Sequence, residues 1–130
     1  MKQMLARLFK DKLLLNYFDA LIDSYEASEG RGLPIGNLTS QYFANHYMAV
    51  ADHYAKERLR QPAMVRYMDD VVFWGNDKQQ LKQQALDYYG YVEQTLLLKM
   101  HPFSLNRTDK GLSFLGYAGT QRSRGTESLL

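Results

Sequence analysis

Apolar positions in the first 26 residues recur at helical intervals and predict two short helices. Leu5, Leu8 and Phe9 share one face of the first. Asp11 is placed to cap the second, whose Leu14, Tyr17, Phe18, Leu21, Ile22 and Tyr25 return every three or four residues. A break follows over 27–37, punctuated by Gly30, Gly32, Pro34 and Gly36. Thr39 or Ser40 can then cap a long helix running to about Leu59. Its expected stripe is Phe43, Tyr47, Val50 and Tyr54, with the smaller Ala44, Ala51 and Ala55 and Met48 beside it. Pro62 closes that region.

The period then changes. Ala63 to Tyr67 and Val71 to Trp74 are β-rich runs flanking Met68, Asp69 and Asp70, the pattern of a hairpin with acids at its bend. Asp77, with Gln80 three residues later, has the form of a capping box. The helix it opens carries Leu81, Ala85, Tyr88, Val92 and Leu96 inward, and Pro102 lies beyond its end. A further strand is expected over Leu112 to Tyr117, and the polar residues 119–130 read as a flexible tail. Three helices, two strands, a helix and a strand in that order predict an α+β fold, a small antiparallel sheet packed on helices.

Composition narrows the function classes without choosing one. With 130 residues the chain fits one small domain, and its 45% hydrophobic and 23% charged residues are those of a folded protein. The absence of cysteine excludes disulfides, thiolate metal sites and a cysteine nucleophile. A net charge of +2 is too small to imply nucleic acid. Basic residues do cluster, as Lys56, Arg58, Arg60 and Arg66 before the hairpin and as Arg107, Lys110, Arg122 and Arg124 near the end. Either group could face phosphates or simply be a solvated surface. No run reaches membrane-spanning length and residues 1–10 lack a cleavage-site pattern, so a cytoplasmic protein is expected.

Asp69 and Asp70 are the candidate chemistry. Adjacent carboxylates at a tight bend repel, and a hard divalent cation such as Mg²⁺ offsets that repulsion through oxygen ligands. The alternative is a plain turn, where Asp is common for local hydrogen bonding. His46 and His53 share a helix face but have no third ligand in view, and His101 beside Pro102 reads as a loop residue.

The surroundings of the dyad resemble reverse transcriptases, most closely bacterial ones of the diversity-generating retroelement type and more distantly those of group-II introns. Ile35-Gly36-Asn37-Leu38-Thr39-Ser40-Gln41 is similar to their motif B, Tyr67-Met68-Asp69-Asp70 to motif C, and Phe114-Leu115-Gly116-Tyr117 to the primer grip. The resemblance implies a partial polymerase palm over residues 1–118. Its parts are connecting helices at 1–26, the motif B loop and helix at 32–60, the motif C hairpin at 63–75, a helix at 77–98 and a primer-grip strand at 111–117. It also implies roles. Asp69 holds Mg²⁺ and Asp70 supports it, for in-line phosphoryl transfer with two metals about 3.5–4 Å apart. Tyr67 and Met68 lie beside the primer terminus, and Gly36, Asn37 and Gln41 lie by the nucleotide and template. Phe114, Leu115 and Gly116 grip the primer.

Two departures from the family pattern bear on activity. The palm's other aspartate, from motif A, has no counterpart, since Asp11, Asp19 and Asp23 fall on a helix cap and polar helix faces. The stretch between Met100 and Lys110 also lacks an evident lysine-bearing loop, leaving Lys99 and Arg107 as substitutes. The expectation is therefore a fragment of an RNA-directed DNA polymerase, inactive alone, with weak or no hold on Mg²⁺. The alternative is a non-enzymatic remnant that binds nucleic acid or a partner chain. Primer–template and dNTP are the implied ligands, and self-association through exposed core or a sheet edge is expected.

Overall fold

The computed structural model describes residues 1–24, 38–108, 111–115, 117–119 and 127–129. The chain divides into two compact units, Met1–Tyr47 and Met48–Leu130. The fold is α+β: four α-helices and six short strands are present among the described residues.

In the first unit, α1 (Lys2–Leu8) and α2 (Lys12–Asp23) are followed by the start of α3 (Leu38–His53). Asp11 caps α2 as its sequence position predicts, its Oδ1 accepting from the amides of Leu13 at 2.8 Å and Leu14 at 3.2 Å. Two orphan amides of the first turn are thereby satisfied. Phe9, Phe18 and Phe43 meet edge to face, with ring centres 5.5 and 5.4 Å apart, and Leu5 and Phe43 are buried. Tyr17, counted on the apolar stripe of α2, is instead exposed. Its hydroxyl makes that outcome cheap.

The second unit contains the end of α3, a π-helical turn at Tyr54–Arg58, β1 (Ala63–Tyr67), β2 (Asp70–Gly75), α4 (Lys78–Tyr91), a second π-helical turn at Val92–Leu96, and the strands β3 (Leu105–Arg107), β4 (Leu112–Phe114), β5 (Tyr117–Gly119) and β6 (Glu127–Leu129). The main sheet has the order β1-β2-β6-β3, and β4 pairs with β5 in a separate ribbon. Asp77 caps α4 through the Gln80 amide at 2.9 Å. Leu81, Ala85, Tyr88, Val92 and Leu96 are all buried, as their spacing predicts. The Tyr88 ring meets Phe73 of β2 edge-on at 5.2 Å. At the end of β2, a Cβ on Gly75 would lie 3.3 Å from Leu81 Cδ1, so glycine lets the strand close on α4.

The two π turns end where the chain takes positive φ, at Arg60 (52°) and Leu97 (55°). The first is tied down by buried amides: Gln84 Nε2 donates to the Leu59 carbonyl at 2.9 Å, and Gln61 Nε2 donates to the Trp74 carbonyl at 3.3 Å. The first bond satisfies a helix-end carbonyl, and the second ties the turn to β2. Tyr54 and Tyr91, at the entrances to the two turns, stack with ring centres 3.9 Å apart and planes 3° from parallel.

Four expectations need revision. The inward side of α3 and the π turn that continues it is Met48, Ala51 and Ala55, while Val50 and Tyr54 are only half-buried. Small side chains allow the closer approach, and tyrosines keep their hydroxyls nearer water. The single strand over 111–117 is two strands, with Phe114 paired to Tyr117 around a bend at Leu115, whose φ is 54°. Gly116 beside Leu115 is the one sign of that reversal in the sequence, where it falls inside the expected strand. The third is the stretch between Met100 and Lys110, where no strand is expected and β3 forms from three residues, too few to show a period. The fourth concerns the tail, where Glu127–Leu129 pairs with both β2 and β3. Backbone hydrogen bonding recruits this strand, not an apolar pattern. Gly36, Asn37, Gly116 and Tyr25 lie outside the described residues.

Candidate catalytic hairpin

β1 and β2 form a hairpin in register Tyr67↔Asp70, with Met68 and Asp69 as its two-residue turn. Short hairpin loops need positive φ to match the twist of the strands, and here Met68 supplies it at 56°. Glycine is the usual residue at such a position. Holding a side chain there costs about 1–2 kcal/mol. Strain of this kind is retained only where its surroundings over-determine it, and it concentrates at functional bends.

What over-determines it is Arg66. Its Nε donates to Asp52 Oδ1 at 2.8 Å and its Nη2 to Asp52 Oδ2 at 2.7 Å, a side-on fork onto a carboxylate near the end of α3. Its Nη1 donates to the Met68 carbonyl at 2.7 Å. The Arg66 side chain is 11% exposed and that of Asp52 32%. The hydrogen bonds to Asp52 hold the guanidinium above its already high ordinary pKa, so it stays charged at any working pH. Sequence reasoning placed Arg66 among bases that could face phosphates; the structure gives it to Asp52 and the turn. A signal was available, since Asp52 interrupts the inward Met48, Ala51 and Ala55 stripe and Arg66 occupies an alternate, half-buried position of β1. An acid and a base both turned inward are natural partners.

Alternation sorts the rest of the hairpin. Arg66 faces Val71 across the strands, and with Phe73 they share the side where Tyr88 packs. Tyr67 and Asp70 are opposite each other and project to the other side. Tyr67 is 56% exposed, and Asp69 and Asp70 are exposed as well. Neither carboxylate is engaged by a hydrogen bond or ion pair with a described residue. The dyad therefore presents two hard oxygen donors to solvent at a braced turn, which fits a divalent cation in donor type. Among the described residues there is no group of three or more His, Cys, Asp or Glu side chains that could hold a metal ion. Water or a ligand's own oxygens would complete any coordination shell.

The other candidate residues are distributed as follows. Gln41 is exposed in the first turn of α3, in the first unit. Phe114 is half-buried and Leu115 exposed on the β4–β5 ribbon. Lys99 is exposed, as is Arg107 on β3. Lys56, Arg58 and Arg60 are exposed in and after the first π turn. His53 Nδ1 lies 3.2 Å from Glu57 Oε1, while His101 accepts from the Tyr89 hydroxyl through its carbonyl. The first is an exposed pair, and the second uses only the His101 backbone. Buried Tyr88, its pKa pushed up by desolvation, remains a neutral phenol beside the Asp52–Arg66 pair.

Comparison with known proteins gives no match, whether against family models, curated proteins or solved structures. No helix among the described residues is long and apolar enough to cross a membrane.

Proposed function

We propose that this chain is part of the palm of an RNA-directed DNA polymerase of the bacterial retroelement type, with Asp69 and Asp70 as its metal-holding carboxylates. The observation that carries the reading is the hairpin: two adjacent, exposed, unengaged aspartates at a strained turn that a largely shielded guanidinium braces. The order of motif B, motif C and primer-grip sequences along the chain supports it. A divalent cation bound to the dyad would supply Lewis-acid stabilisation of the oxygens that attack and leave phosphorus. Tyr67, exposed beside Asp70, offers a flat ring against which a primer terminus can rest. Gln41 offers an amide that both donates and accepts toward a base pair.

The non-enzymatic alternative has its own support, because no third carboxylate joins the dyad among the described residues. Both readings give the chain a nucleic-acid or partner surface, and they part at catalysis. In primer extension with Mg²⁺, this chain by itself is expected to add no nucleotide; template-dependent synthesis would refute that. Labelled primer–template in fluorescence anisotropy is expected to bind at low salt and to weaken steadily as salt rises, because phosphate contacts release counterions. An absence of binding at low salt, or binding indifferent to salt, removes the polymerase reading. Self-association belongs to the same proposal. β1 is the edge of its sheet, with Val65 and Tyr67 exposed along it, and copies are expected to pair there. Light scattering at micromolar concentration should then report a dimer or larger species, and a monomer would contradict it.

A further inference from the structure

The geometry points to Arg66 and Asp52 as positioning residues that set the orientation of the Asp69–Asp70 dyad through the carbonyl of Met68. This rests on the proposed metal-holding role of the dyad and deepens it.

The fixed element is the guanidinium of Arg66. It is a rigid plane with five N–H donors in fixed directions, so fixing two of its nitrogens fixes the third. Here Nε and Nη2 are committed to the two oxygens of Asp52 at 2.8 and 2.7 Å, and Nη1 is thereby aimed at the Met68 carbonyl, 2.7 Å away. Asp52 is itself anchored, because Ala51 before it and Ala55 one turn on are completely buried. A rigid chain of contacts therefore runs from the end of α3 to the carbonyl of the turn residue. The peptide that carries that carbonyl is the one joining Met68 to Asp69, so its orientation decides where the Asp69 side chain projects. Left to itself, a methionine would leave positive φ for the ordinary β or α region. The hydrogen bond from Nη1 opposes that relaxation at the peptide concerned.

Lysine cannot replace this arrangement. A single ammonium could reach Asp52 or the carbonyl, but it has no fork to tie one to the other. Glycine at position 68 should make the clamp dispensable, since glycine takes positive φ without a steric penalty. That gives a rescue test that a merely structural ion pair would not pass.

The experiment compares the unaltered chain with R66K, R66M, D52N, M68G and the double variant R66M/M68G, each first shown folded by circular dichroism. Two readouts are taken by NMR. One is the intraresidue amide-to-Hα NOE at residue 68, strong when φ is positive. The other is the Mn²⁺ concentration that broadens the amides of residues 69 and 70. R66K and R66M are expected to lose the strong NOE and to bind Mn²⁺ about tenfold more weakly, the usual scale for losing a residue that orients a ligand. D52N should move both readouts the same way by less, and it carries the test if the Arg66 variants fail to fold. R66M/M68G should recover the affinity. Retention of positive φ in folded R66M or D52N overturns the inference, as does a changed turn with unchanged Mn²⁺ affinity or a double variant without rescue. If the unaltered chain does not bind Mn²⁺ at residues 69 and 70, the metal-holding reading falls and the inference about orienting a metal dyad falls with it. In that case the NOE still reports separately whether Arg66 holds the turn.

Discussion

Asp52→Ala is expected to lower the stability of the second unit by about 3 kcal/mol, the scale for removing one partner of a well-shielded ion pair. The reason lies in what is left behind. Arg66 would keep a guanidinium that is only 11% exposed, with its fork facing a cavity instead of a carboxylate. The opposite substitution, Arg66→Met, leaves Asp52, which at 32% exposed can regain water more readily, and should cost about 1–2 kcal/mol. The order of the two effects is the informative part. A contact made at the protein surface would cost less than about 1 kcal/mol from either side. Urea denaturation of both variants measures the difference; equal, small shifts in midpoint would show that the pair braces nothing.

Leu81→Ala is expected to cost about 3 kcal/mol as well, for a different reason. Leu81 is 1% exposed and packs against the end of β2, where Gly75 leaves space for its Cδ1 and no more. Truncation removes buried methyl groups, and the helix and strand can collapse onto the gap only partly, because Asp77 and the Phe73–Tyr88 contact hold α4 in place. Leu86 on the same helix is 47% exposed, so Leu86→Ala should change stability by less than about 0.5 kcal/mol. Thermal unfolding of the two variants side by side checks this. Similar losses would mean that α4 does not pack by the face its spacing predicts.

The contrast between those two leucines shows what the sequence makes legible. Helical period alone places Leu81, Ala85, Tyr88, Val92 and Leu96 inward, because five positions over four turns average out local exceptions. Caps are equally readable, since Asp11 and Asp77 act on amides two or three residues away. The two β-rich runs place the bend over Met68, Asp69 and Asp70, and the structure narrows it to Met68 and Asp69, with Asp70 opening β2. Pairings between distant residues are less legible. The strand Glu127–Leu129 joins β2 through backbone groups that every residue carries, and the reversal at Leu115 has only the neighbouring Gly116 to mark it in the sequence.

The candidate site divides along the same line. Tyr67, Met68, Asp69 and Asp70 are consecutive, so local geometry suffices to bring them together. Arg66 and Asp52 are 14 residues apart and meet only because β1 packs back against the end of α3. Each looks unremarkable alone, a base in a basic stretch and an acid in a helix. What marks them is their inward placement, a property of period and burial and not of motif. The strain at Met68 is likewise silent in the sequence, which contains no glycine where the turn would ordinarily ask for one.

Paramagnetic titration of the isotopically labelled chain with Mn²⁺ is the most direct test of the dyad as a cation site. Broadening should begin at the amides of Met68, Asp69, Asp70 and Val71, and it should vanish there in the Asp69→Asn/Asp70→Asn double variant. Broadening that spares this turn, or that persists unchanged in the double variant, would contradict the account.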